Sequence, residues 1–169
     1  PATGRLLRCT SLPFGYARSP EHFCAVTEAV AQLFRSRVAG MGIHIWVFVD
    51  DYLLAGDTRE KTVLAMRMFE ALLTELGLPF APHKTRGPTR VIEFLGFLLS
   101  NVDGHRCMAL TSSRQEKLAE LLSTWALREP SPGRPPGTSE PRELASLLGQ
   151  LVFASEVIPG GRVYMQAML

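Results

Sequence analysis

The stretch WVFVDDYLLAG, residues 46–56, sets two adjacent carboxylates, Asp50 and Asp51, on the crest of a run that is otherwise almost wholly apolar. Two carboxylates sharing a buried place cannot both ionise cheaply unless a cation or hydrogen-bond donors offset them. Either the pair stands at an exposed turn, or it holds metal. MGIHIWVFV, residues 41–49, is rich in β-branched and aromatic residues, stops at the aspartates, and the apolar run resumes as YLLAG. This is the pattern of a hairpin with the aspartates at its bend. His44 and Trp46 alternate with the side that would be buried and are read as structural.

Upstream of the hairpin, SPEHFCAVTEAVAQLFRSRVAG, residues 19–40, offers Ser19 as an N-cap and Pro20 at the first helical position, with Phe23, Val26, Val30, Leu33 and Phe34 at helical spacing before Gly40. A second helix is expected from about Thr58, with Phe69, Leu72, Leu73 and Leu76 on one face and Gly77 closing it. VIEFLGFLLSNVDGHRCMAL, residues 91–110, reads as another hairpin with Asp103-Gly104 as its turn. Ser113 with Glu116 then makes a capping box for a helix carrying Leu118, Leu121, Leu122 and Trp125. REPSPGRPPGTSEP, residues 128–141, is a Pro/Gly/Ser linker, and Leu144, Leu147, Leu148 and Leu151 mark a last helix. The order of these elements predicts an α+β fold, an antiparallel sheet with helices packed on one face.

Composition narrows the classes. A chain of 169 residues, 46% apolar and 20% charged, is about one globular domain. Its formal charge of +2 announces no strong field for nucleic acid, so any basic path comes from clusters such as Arg5/Arg8 or Lys84/Arg86/Arg90. Cys9, Cys24 and Cys107 are odd in number and lack paired ligand spacings, which argues against a disulfide framework or zinc site and fits a reducing intracellular compartment, cytoplasm or nucleus. No apolar run reaches the roughly 18 residues of a membrane span, and no signal peptide is visible, so no membrane partner is expected. The chain starts at Pro1 without a methionine, as an excised piece would.

Four motifs in order carry a family resemblance. LPFGYARSPEHF (12–23) resembles motif B of reverse transcriptases, FVDD (48–51) their aspartate-bearing motif C, LGLPFAPHKT (76–85) motif D with its lysine, and EFLGF (93–97) the primer-grip motif E. RELASLLGQL (142–151) and PGGRVYMQAML (159–169) are similar to the segment downstream of the polymerase domain in DIRS-type retrotransposons. The resemblance covers residues 5–169, with its specific part at 12–97. It implies a polymerase palm fragment through motifs B to E over residues 1–110, the start of a thumb-like helical region over 111–127, a linker over 128–140, and a helical connection segment over 141–169.

It also implies roles. Asp50 would be the main ligand and Asp51 the less direct one for two Mg²⁺ ions, Mn²⁺ also serving, and Lys84 would sit near the pyrophosphate as charge stabiliser or proton donor. Phe14, Gly15 and Tyr16 would contact the incoming dNTP and the template base, with Phe48 and Val49 also lining the substrate. Phe94, Leu95, Gly96 and Phe97 would grip the primer. The implied partners are an RNA or DNA template with its primer, a dNTP, and the upstream fingers and palm segment of the same polyprotein.

Each motif also has a plainer reading. Tandem aspartates favour turns anyway, Pro-x-Gly before a helix is ordinary loop geometry, a single lysine is usually exposed, and Phe94 and Leu95 suit a core strand. One departure from the family is plain: its motif A contributes a further aspartate on an earlier strand, whereas the first acidic residue here is Glu21. Two competing classes are a non-catalytic nucleic-acid-binding or interaction remnant and, more weakly, an RNA-dependent RNA polymerase palm, which usually has glycine where Phe48-Val49 precedes the aspartates.

Overall fold

One-sided burial organises the first half of the chain. In the computed structural model, which describes residues 11–127 and 140–166, helix α1 (Ser19–Arg37), strands β1 (Ile43–Phe48) and β2 (Asp51–Gly56), and helix α2 (Arg59–Glu75) follow in order. The strands pair antiparallel from Ile43 opposite Gly56 to Phe48 opposite Asp51. Their alternation sends Ile43, Ile45, Val47, Tyr52 and Leu54 to one face, into a core with Val30, Ala31, Phe34 and Val38 from α1 and its end and Ala65, Phe69, Leu72 and Leu73 from α2. Phe69 meets Phe34 and Tyr52 edge-on, with ring centroids at 5.0 and 4.8 Å, a favoured aromatic geometry. The other face of the hairpin carries His44, Trp46 and Phe48, all exposed.

Local chemistry sets the ends. Thr58 caps α2, its hydroxyl accepting from the Lys61 amide at 3.2 Å. Gly77, at φ 66°, closes the helix as expected: its N–H donates to the Thr74 carbonyl and that of Leu78 to the Leu73 carbonyl, the paired bonds of a Schellman end. Arg35 links α1 to the hairpin, donating to Glu28 at 2.7 Å and to the Ile45 carbonyl at 3.3 Å. Arg37 grips both Glu75 oxygens, at 2.9 and 3.2 Å, and holds that carboxyl below its ordinary pKa. The pair is exposed, so its effect on stability is small.

Two expectations for α1 change. Ser19 is not the cap: Arg18 takes that place, and the Ser19 hydroxyl donates back to the Pro13 carbonyl at 2.9 Å. The helix stops at Arg37, before Gly40 as expected. Its buried stripe is Thr27, Val30, Ala31 and Phe34, leaving Phe23, Val26 and Leu33 exposed, and the Tyr52 hydroxyl of β2 donates to the Thr27 carbonyl on that stripe.

The described residues from Arg90 onward form a second compact unit. Residues 91–110 form a three-stranded meander, β3 (Val91–Phe94), β4 (Phe97–Val102) and β5 (His105–Leu110), not one hairpin. The added turn is Leu95-Gly96; both residues have positive φ, as do Asp103 and Gly104, so both turns have the primed geometry suited to twisted hairpins. The antiparallel pairing is thus divided between two small sheets. Helices α3 (Ser112–Ala126), α4 (Pro141–Ser155) and a short α5 (Gly161–Gln166) follow. The Ser113/Glu116 capping box does not form, since α3 begins a residue before Ser113 with Thr111 at the cap position; Gln115 instead donates to the Leu110 carbonyl at 2.8 Å. Leu118, Leu121 and Trp125 are half-buried and Leu122 is exposed, whereas Leu147 of α4 is buried. Most of the expected linker, residues 128–139, lies outside the described residues, as do Arg5, Arg8 and Cys9. Among the described residues no helix is long and apolar enough to cross a membrane.

Tyr52 offers a test of the first core. Its hydroxyl donates to the Thr27 carbonyl at 3.3 Å, and burial, with the Glu28 charge second, raises its pKa. A raised folded-state pKa contributes stability that is full below the unfolded value near ~10 and is lost as pH rises through the folded value. Tyr52→Phe should therefore lower stability at neutral pH by about 0.5–1.5 kcal/mol, and the deficit should shrink above pH ~10. Denaturant midpoints of both proteins across pH check this; a constant deficit would assign the effect to packing alone.

Candidate active site

The tip of the first hairpin is a turn of only two residues, Val49 and Asp50, with Phe48 paired directly to Asp51 across it. Val49 has φ 54° while Asp50 is not left-handed, which is the type II′ pattern, whose first position ordinarily goes to glycine. A β-branched residue held there is strained by about 1–3 kcal/mol. Packing of both flanking strands on the core, with Ile43 and Ile45 of β1 buried and Tyr52 and Leu54 of β2 half-buried, is what holds it. The turn leaves no slack: Asp50 occupies its second position and Asp51 opens β2 on the outward face, beside Phe48.

Both carboxylates are exposed, and among the described residues neither has a hydrogen-bond or ion-pair partner. The doubled charge therefore stands in water at a tip, not in the core. Adjacent hard oxygens free of other partners suit a divalent cation that keeps waters and further oxygen ligands. They supply one side of such a site, since the described residues contain no cluster of three His, Cys, Asp or Glu side chains able to hold a metal.

The other candidates fall in four places. Phe14, Gly15 and Tyr16 lie in the loop before α1, with Phe14 fully exposed, Tyr16 51% exposed and Gly15 at φ 83°. Trp46 and Phe48 stand exposed on the outer hairpin face, where His44 stacks on Trp46 at 5.9 Å, so His44 and Trp46 are not core residues. Lys84 ends a short 3-10 turn, Pro82–Lys84, and is exposed. No hydrogen bond or ring contact among the described residues joins Phe14, Tyr16 or Lys84 to the aspartate tip.

Phe94 and Phe97 face each other across the Leu95-Gly96 turn in the second unit. Phe97 is packing, its ring stacked on Phe153 of α4 at 4.3 Å, whereas Leu95 projects at the turn. Sequence reading missed the residue that covers this turn. The Arg114 guanidinium lies 4.4 Å from the Phe153 ring centre, and a Cβ on Gly96 would run into it. No short-range signal could have found it, because the three parts come from separate elements.

A layer of helices behind a hairpin that presents paired carboxylates at a rigid tip has the form of a nucleotide-polymerase palm. A reverse transcriptase (RNA-dependent DNA polymerase) family model matches residues 2–99, more than half the chain, so the chain belongs to the reverse transcriptase family. It is 28% identical over 151 residues to the Pro-Pol polyprotein of feline foamy virus, covering 89% of this chain and 11% of that protein. A solved foamy viral protease–reverse transcriptase, in complex with double-stranded DNA, shares its fold at a TM-score of 0.58 and 24% identity, covering 85% of this chain and 21% of that one. The chain thus spans about a tenth of that polyprotein and a fifth of that solved chain. Reverse transcriptases generally use divalent metals.

If Val49 is strained as its backbone indicates, Val49→Gly should raise stability by about 1 kcal/mol, the relieved strain exceeding the extra chain entropy of glycine. Thermal melting of the two proteins measures it. A lower melting temperature for the glycine variant would mean that the valine's contacts outweigh the strain.

Proposed function

We propose that the intact protein carrying this chain is an RNA-directed DNA polymerase that transfers a nucleotide from a dNTP to a primer 3′-hydroxyl with release of pyrophosphate. The observation that carries this reading is the pair of exposed, unpartnered carboxylates on an over-determined two-residue turn. Asp50 would be the principal ligand of two Mg²⁺ ions and Asp51 the less direct one, with Mn²⁺ as a substitute. When bound, such ions neutralise charge between the attacking and leaving oxygens. The chain's own residues do the rest. The rigid tip fixes the carboxylates, Phe48 and Val49 abut the primer end and incoming nucleotide, and Phe14, Gly15 and Tyr16 give that nucleotide and the template base an open, largely apolar surface. Lys84 is free to donate toward the leaving pyrophosphate. The Leu95-Gly96 turn, between Phe94 and Phe97, receives the primer terminus.

The partners on this reading are an RNA or DNA template with its primer, dNTPs, and an upstream fingers and palm segment of the same polyprotein that supplies the opposing carboxylate. The palm, thumb-like and connection assignments over 1–110, 111–127 and 141–169, and a cytoplasmic or nuclear setting, belong to the same proposal. So does a finer kinship with DIRS-type retrotransposons, supported by residues 142–151, which lie within α4, and by 159–169, of which 167–169 are outside the described residues. A tyrosine recombinase encoded beside the polymerase would support that kinship, and its absence would remove it.

Two experiments test the chemistry. In the intact protein, Asp50→Asn should abolish primer extension while leaving the melting temperature unchanged, because an amide lacks the charge that holds the ion; undiminished extension removes Asp50 from the site. The 169-residue chain alone should extend no primer with any divalent ion, since its described residues supply one side of the cage. Extension by the chain alone would require another of its acidic residues, Glu21 or Asp57, to complete the site.

A further inference from the structure

The cover over the Leu95-Gly96 turn is an arginine with its donors unspent. Arg114, in the first turn of α3, is exposed, and among the described residues its guanidinium donates to no carboxylate or carbonyl. It is nonetheless fixed. The ring of Phe153 lies 4.4 Å away and is itself stacked on Phe97 at 4.3 Å, so the guanidinium, Phe153 and the strand that leaves the turn form one assembly. Gly96 lacks the Cβ that would displace the guanidinium, and its φ of 82° keeps the turn in the tight form that brings its backbone beneath Arg114.

A guanidinium presents five N–H groups in a rigid fork that matches two oxygens of a phosphate, and it remains charged at any working pH. A long side chain normally loses rotamer freedom on binding; one already immobilised by stacking loses little, which favours the bound state. An exposed arginine that no carboxylate neutralises, held by a ring over a backbone turn, is therefore preorganised for an anion. Carboxylate partners would be the expected neighbours if its role were only to hold α3 to the sheet.

We propose that Arg114 is a phosphate-binding residue that takes a backbone phosphate of the primer strand at the Leu95-Gly96 turn, with Phe153 as its positioning residue. This rests on the reading of that turn as the primer's seat. The anion is a phosphodiester of the nucleic acid, not the triphosphate of the nucleotide, so the KM for dNTP should not change when Arg114 is altered.

The test uses the intact polymerase and a DNA duplex with a recessed 3′ end, with Kd measured across salt concentrations. Each phosphate contact contributes about 0.9 to the slope of log K against log salt. Arg114→Gln should weaken binding roughly tenfold at low salt and reduce the slope by about 0.9, with an unchanged melting temperature and dNTP KM. Phe153→Leu should weaken binding about threefold and keep the wild-type slope, because the charge stays while its preorganisation is lost. A wild-type slope in Arg114→Gln overturns the proposal. Should that variant melt early, Arg114→Lys decides: weaker binding at the wild-type slope supports it, and full wild-type affinity overturns it. Primer extension that remains dependent on Asp50 while Arg114 proves silent would remove this inference alone; a wild-type polymerase that binds no primer duplex would remove the functional reading with it.

Discussion

The register of the first hairpin is the constraint on which the aspartate tip depends. Ile43, Ile45, Val47, Tyr52 and Leu54 all face one core, and side chains alternate along each strand, so a slip by one residue would exchange the two faces. Asp51 would then enter the core beside Phe69, and Phe48 would follow it. Burying a carboxylate without a partner is far more costly than the strain of a left-handed Val49. The apolar face therefore imposes the turn, and the turn places the carboxylates.

The two helices behind the hairpin make that imposition stiff. Phe34 and Phe69 meet edge-on, Tyr52 completes the aromatic group, and Arg35 ties α1 to the carbonyl of Ile45. Apart from Tyr52, which directly follows Asp51, these groups lie well away from the aspartates in sequence, but each restricts how far β1 and β2 can shift. A site built on strands in this manner holds its geometry better than one built on a long loop.

The second unit repeats the device with a different closure. Its tight turn is satisfied by Leu95 and Gly96, and the ring of Phe153 with the guanidinium of Arg114 packs over the side that glycine leaves open. In the first unit the tip is bare and acidic; here it is covered and basic. On the proposed function the two tips face opposite chemical needs, cation binding at one and phosphate binding at the other.

The hairpin around Asp50 and Asp51 and the helix that Thr58 caps and Gly77 ends were legible in the residues alone, because these rest on alternation, capping and turn chemistry within a few positions; the family was legible only through the resemblance of its four ordered motifs. The buried stripe of α1 was not: Phe23, Val26 and Leu33 match helical spacing as well as Val30 and Phe34 do, and the rotation follows from contacts with the hairpin at Thr27 and Arg35. Nor was the cap of α3, where Thr111 and Ser113 compete and the end of β5 decides. EFLGF carried a turn that the run of apolar residues concealed, since Leu95 gives no local sign that it will take a positive φ. The stacking of Arg114 on Phe153 belongs wholly to tertiary structure, because a contact between residues on separate helices is chosen by how those helices pack and leaves no periodicity in the chain.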